Sequence, residues 1–317
     1  MLKAVRRRAS RRKELASSRT LVASGVLVLA GTLSWAASET TTIADTQDIA
    51  YRRDRAAWMR SDKSPLALAG LFWLKPGINT FGAERNNDIV LPSGNVPGRV
   101  GSFELSGKTV TVRIENAIPA SLNGKPVRSQ ALKSDADGTP ADTLHVNRLR
   151  LRIIERGDRM AVRLARLDNP ALLRFERLDF FEIDPKYRVV ARFSPYQPPK
   201  RIKVATILGY VDELECPGVV SFTLDGKQLH LEPVYETAGD SRLYFMFKDA
   251  TNGKETHEGG RYLYSGPPKN GQVMLNFNQA HNPYCAYNEY STCQIPPTNN
   301  WLKIPIPAGE KKYPEGK

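Results

Sequence analysis

The chain has 317 residues, 41% of them hydrophobic and 9% aromatic, which suits packed globular domains and excludes an intrinsically disordered protein. Its formal charge is +13, but residues 1–36 hold eight basic residues and one acid, which leaves about +6 for the rest. That residue of charge is too diffuse for the clustered basic face of a nucleic-acid binder, so no nucleic-acid partner is expected.

Residues 21–36, LVASGVLVLAGTLSWA, form an apolar stretch behind a basic segment and end in the small-x-small triplet Ser34, Trp35, Ala36. This arrangement predicts a signal peptide over 1–36 with cleavage before Ala37. The alternative is a transmembrane anchor, for which the stretch is short and interrupted by Gly25 and Gly31. Ser10, Arg11, Arg12, Lys13, Glu14 and Leu15 resemble a twin-arginine export motif. Glu14 stands where an apolar or aromatic residue is usual, so the Sec and twin-arginine routes both stay open. The expectation is a periplasmic or secreted protein with no stable membrane span after cleavage.

Residues 37–47 read as a flexible lead and 48–60 as one helix, capped by Asp45, with Asp48 in the first turn and Arg60 in the last. Leu66–Leu74 follows as a buried strand or turn-rich core segment, stopped by Lys75, Pro76 and Gly77. From 78 to 167 the pattern is short strands of period two. Val110, Val112 and Ile114 share one face, as do Leu149, Leu151 and Ile153; Arg148, Arg150 and Arg152 point outward, and Val162 and Leu164 alternate with Arg163. Asn123-Gly124 marks a tight hairpin turn.

Three pieces of this stretch, Phe81-Gly82, Asn87–Pro92 and Leu122–Val127, resemble a forkhead-associated β-sandwich over 78–154. That resemblance implies the sandwich but not its ligand. Ala83 stands where that family carries a phosphate-gripping Arg, and Pro97–Ser102 replaces its Ser-x-x-His segment, with Arg99 the remaining candidate. Residues 48–167 are thus expected to hold a helix and a forkhead-associated-like domain.

Residues 168–200, with Asn169-Pro170, Asp184-Pro185, Ser194-Pro195 and Pro198-Pro199, read as the crossover to a second domain over 168–317. Its segments YRVVARF, KRIKVATIL, VVSFTL, KQLHLEPVY, RLYFMFK, RYLYSG, QVMLNF and LKIPI predict an antiparallel β-barrel or sandwich. The fold class expected is therefore mostly β.

In an exported protein, Cys285 and Cys293 read as a disulfide closing a small loop, with Cys216 left over. Two free thiols and a metal site are the alternatives. A metal is disfavoured because His281 is the only histidine near ligand spacing, and none is assigned. Asn276, Asn278 and Asn282 cluster with His281 and Tyr284, and amides aimed one way offer a ligand both donors and acceptors. Gly259 and Gly260 would let Arg261 approach an anion, with Asp249 nearby. A hairpin around Asn270-Gly271 would set Arg261 beside Asn278 and gather a guanidinium and amides into one polar cluster. Each of these residues also has a purely structural reading as turn former, strand edge or packing group. No common nucleophile elbow, nucleotide loop or zinc-protease motif is present.

The segments 247–263 and 275–310 resemble the Domain of Unknown Function 1684 family, over about 48–312. Asn276 stands where an Asp is common in that family, and His281 where a Tyr is common. The resemblance implies no reaction and no cofactor. The leading expectation is an exported protein binding a small polar or anionic ligand in its C-terminal β domain. Two alternatives stand beside it: an enzyme built on Arg261, His281, Asn276 and Asn278, and a structural or interaction protein of the cell envelope.

Overall fold

Period-two patterning dominates the architecture. The computed structural model describes residues 44–92, 94, 96–237 and 239–314. The expected signal peptide and the lead up to residue 43 lie outside the described residues. A first helix, α1, spans 44–59, starting earlier than expected. Asp45 is therefore within its first turn rather than its cap, and it pairs with Arg188 at 2.6 Å. No described helix is long and apolar enough to cross a membrane.

The first β body contains β1 (Leu68–Trp73), β2 (Gly77–Gly82), β3 (Ile89–Val90), β4 (Gly101–Ser106), β5 (Thr109–Ile114), β6 (Ser121–Leu122), β7 (Lys125–Pro126), β8 (Ser129–Leu132), β9 (Leu144–Val146), β10 (Leu149–Arg156) and β11 (Arg159–Arg166). They form two sheets, ordered β3-β2-β4-β5-β8 and β1-β11-β10-β9-β6-β7. Val110, Val112, Leu149, Leu151 and Ile153 bury between them, with Phe81 stacked on Phe103 at 4.5 Å. This is the sandwich that the alternation predicts. Asn123 and Gly124 both have positive φ (50° and 83°), the geometry of a type I′ turn. Gly82 is required by close approach: a Cβ there would lie 2.1 Å from the Gly98 carbonyl oxygen.

A short helix, α2 (Pro170–Leu173), capped by Asn169, leads into the second body. There β12 (Arg188–Ala205), β13 (Val211–Leu224), β14 (Lys227–Leu231) and β17 (Gln272–Asn276) form a sheet ordered β14-β13-β12-β17, and β15 (Leu243–Phe247) pairs with β16 (Arg261–Ser265). The sheets do not close into a barrel. The segments YRVVARF and KRIKVATIL, expected as separate strands, are one long β12. Its ladder to β13 breaks between Pro195 and Lys200, where Pro198 and Pro199 have no N–H to donate.

The expected hairpin between β16 and β17 does not form. β16 pairs with β15, and β17 with β12. Asn270 and Gly271 do make the turn, with Lys269 bridged to Gln272. Pro267 and Pro268, just before it, remove the donors that would extend the ladder; the Ser265 hydroxyl bonds the Met274 carbonyl (2.9 Å) instead.

Helix α1 docks on the second body. Asp48, fully buried, accepts from Arg188 (2.7 Å), Asn276 (2.7 Å) and Gln279 (2.8 Å). Met59 and Leu66, at the end of the helix and just past it, pack with Phe175, on the return from the first body, and with Tyr287 of the second body.

Candidate functional site: a cleft between the two β bodies

A cavity of about 1200 Å³ opens where α1 and both bodies meet. Helix α1 contributes Tyr51, Arg55 and Trp58, at helical spacing and therefore on one face. The first body contributes Arg156 and Arg163. The second contributes Tyr244, Tyr262, Tyr264, His281, Tyr284, Thr292 and Cys293.

The aromatic wall follows from strand parity. In β15 and β16, Leu243, Phe245, Phe247 and Leu263 join the main core of the second body. The alternate residues Tyr244, Met246, Tyr262 and Tyr264 face a separate cluster with Cys285 and Cys293. Tyr244 stacks on Tyr264 (centroids 4.9 Å), Tyr264 on His281 (5.8 Å), and Tyr284 lies against Trp58 (5.5 Å). Tyr262 exchanges both backbone hydrogen bonds with His281 at 2.9 Å each. Arg261, one residue earlier, must then point to the opposite face.

His281 lies deep in this wall. Tyr51 Oη donates to the Gln279 carbonyl (2.9 Å), so in its 3.2 Å contact with His281 Nδ1 the ring supplies the proton. Nε2 is then the unprotonated nitrogen. Burial, with Arg55 nearby, pushes the His281 pKa down to about 4, so the ring is neutral at neutral pH. Behind it, Glu310 is fully buried and bonded to Arg55 (2.7 Å), the Tyr287 hydroxyl (2.6 Å) and the Asn282 N–H (2.9 Å). Burial alone would raise the Glu310 pKa. Arg55, His281 and these hydrogen bonds outweigh it and hold the carboxyl below its ordinary range.

Arg163 differs from its neighbours. Arg156 is bidentate to Asp135 (2.9 and 2.8 Å). Arg163 donates to Thr292 Oγ1 (3.2 Å), while its Nε is buried without a partner, and among the described residues it forms no ion pair. Burial, then the Arg156 charge, pushes its pKa down to about 10, so it stays cationic.

The residues singled out in the sequence divide between two roles in the structure. His281 and Tyr284 face the cleft. Arg261 is fully buried, paired with Asp249 at 2.6 Å, and donates to the Ile306 (2.8 Å) and Ala308 carbonyls. Asp249 also accepts from the Thr251 and Ile306 backbones. Asn276 bonds Asp48; Asn278 bonds both backbone groups of Asp184 (3.2 and 3.0 Å); Asn282 bonds the Lys311 carbonyl (2.8 Å). The segments 247–263 and 275–310 do meet, but through these internal contacts, and Arg261 bonds none of the three Asn side chains.

The expected disulfide is corrected: Cys285 and Cys293 are free thiols, as is Cys216. The Cys285 N–H donates to Cys293 Sγ (3.2 Å), and Cys285 Sγ lies 3.7 Å from His257 Nε2. Both sulfurs are thus held in polar contacts rather than in an S–S bond. No metal-binding group of three or more His, Cys, Asp or Glu side chains occurs among the described residues. The residues that sequence reasoning missed are Tyr51, Arg55, Arg163 and Thr292. The available signal was the i, i+4 spacing in α1 and the first arginine of AVRLAR, flanked by Val162 and Leu164.

These features define a mostly β protein of two bodies and a helix around a tyrosine-rich cleft. Residues 173–311 match a family described as a protein of unknown function (DUF1684), and the chain belongs to that family. Among solved structures, an uncharacterised protein of Haloarcula marismortui, determined by NMR in solution, is 32% identical over 43% of this chain and 77% of its own, with a TM-score of 0.38. The FHA domain of FhaA, crystallised with an intracellular domain of another protein, is 18% identical over 30% of this chain and 96% of its own (TM-score 0.21). A further structure, from work on phosphothreonine-dependent FHA domain interactions, is 18% identical over 30% and 92% (TM-score 0.21). No curated protein matches the chain.

Proposed function

We propose that the cleft binds a small polar ligand carrying an anionic group. The anion would meet Arg163 and Thr292, and the rest of the ligand would lie against the tyrosines. The carrying observation is the Arg163 guanidinium, held beside a large cavity with its Nε unpartnered and, among the described residues, no ion pair of its own, since Asp135 is taken by Arg156. A half-buried, unpaired cation is costly, and a carboxylate or phosphate offers it bidentate hydrogen bonds. Native mass spectrometry of the full chain purified from its own cells tests this. A retained small anion that is lost from Arg163→Met supports the reading; equal retention by both proteins refutes it.

An enzymatic reading is favoured by one feature, the neutral His281 with its unprotonated Nε2 on the cleft wall. Such a nitrogen accepts a hydrogen bond or a proton from a bound ligand. We also infer export, supported by the basic lead and apolar core of residues 1–36. Mature protein should begin near Ala37 by N-terminal sequencing, and an intact Met1 terminus on cytoplasmic protein would refute it.

A further inference from the structure

Cys293 lines the same cleft, and its sulfur is a hydrogen-bond acceptor. The Cys285 N–H donates to it at 3.2 Å, and the Tyr262 and Cys285 side chains pack in the same cluster around it. The Arg163 guanidinium is close enough to interact with its charge. These are the surroundings that stabilise a thiolate over a thiol. The Cys285 hydrogen bond leads in holding the Cys293 pKa below its ordinary value, against burial. Behind it, Cys285 contacts His257 Nε2 at 3.7 Å, and His257 Nδ1 faces Glu258 at 3.5 Å. With Nδ1–H turned to Glu258, Nε2 is the basic nitrogen. Burial keeps this imidazole neutral, its pKa lowered from 6.5. The third cysteine is unlike both: Cys216 is fully buried, donates to the Gly218 carbonyl, and has its pKa pushed up to about 11.

We propose that Cys293 is a nucleophilic thiol of the cleft that exchanges with small anionic disulfides, with Cys285 as its resolving partner and His257 as the base for Cys285. In the first step the Cys293 thiolate attacks one sulfur of the disulfide. A Cys293 mixed disulfide forms and the other half leaves as a thiolate. In the second step His257 Nε2 takes the Cys285 proton, the Cys285 sulfur attacks Cys293 Sγ, and the second half leaves as a thiolate. The small disulfide is reduced by two electrons and the cysteine pair is oxidised by the same two. The pair is thus a reactive couple, thiol at rest, rather than a permanent staple. The anionic preference rests on the proposed anion site at Arg163; the thiol chemistry does not.

The test uses the full chain with two dialkyl probes whose leaving thiols have similar pKa, the dicarboxylate dithiodipropionate and uncharged hydroxyethyl disulfide, read by released thiol and intact mass. Wild type should release both halves of the charged probe rapidly and retain no adduct. Cys285→Ser should release one half and keep the other on Cys293. His257→Gln should leave the first release unchanged and slow the second at least several-fold. A Cys293→Ser protein, shown to be folded by circular dichroism, should lose the rapid phase. Retention of that phase in Cys293→Ser overturns the proposal, as does a wild-type Cys293 that reacts only after unfolding. Faster reaction with the charged probe supports both assignments. Equal rapid rates with the two probes support the thiol and refute the anion site.

Discussion

Arg163 and Arg261 occupy alternating strands, yet their charges have opposite fates. Arg261 is neutralised by Asp249 inside the core, whereas Arg163 faces the cleft and, among the described residues, forms no ion pair. Replacing Arg163 by Met should therefore leave stability unchanged or raise it by up to about 1 kcal/mol, because an unpaired, partly desolvated cation is removed. Urea unfolding measures this, and a large loss would instead give Arg163 a structural role. His281 sets a pH dependence. Its pKa falls on folding from 6.5 to about 4, so the unfolded chain binds the proton first. Its contribution is intact above pH 6.5 and is lost as pH falls toward 4, by roughly 3 kcal/mol at most. His281→Gln should flatten the stability–pH curve across that window in thermal melts.

At the level of elements, alternation was readable wherever one face is apolar. Val110, Val112 and Ile114 announce a strand and its buried side, and they bury as expected. RYLYS was equally readable as a strand. Its parity alone separates Arg261 from Tyr262, and hence from His281, once Tyr262 is known to pair with His281. That pairing is long-range and leaves no local mark, so the expected partner strand was the wrong one. AVRLAR shows the same limit: the pattern turns Arg163 away from the sandwich core but does not say that Thr292, 129 positions later, stands opposite. The buried Asp249–Arg261 pair fastens β16 to the segment around 306–308. Asp249→Ala should cost about 3–5 kcal/mol, since it leaves a guanidinium buried and unpaired. Urea unfolding would show it, and a loss below 1 kcal/mol, on the order of a surface change, would contradict the assignment.

For the molecule as a whole, the sequence marks a helix followed by two β bodies, but not that the helix serves the second. Asp48 is bonded to Arg188, Asn276 and Gln279, none of them in the body that follows α1 in the chain. The topology around that body has a simple geometric property. Its first and last strands are neighbours, with Leu68 directly across from Ala165, so the chain enters and leaves through points about 5 Å apart. The flanking segments converge through Met59, Leu66, Phe175 and Tyr287. The sandwich is thus inserted between α1 and the second body, and these two should fold without it. Replacing residues 69–164 by a short Gly/Ser linker should yield a folded protein that keeps α1, the tyrosine wall and the Asp249–Arg261 pair, while losing Arg156 and Arg163, and with Arg163 the proposed anion site. A cooperative thermal melt of that deletion, together with loss of the retained ligand, would establish the sandwich as a graft that completes a pocket α1 and the second body only half enclose.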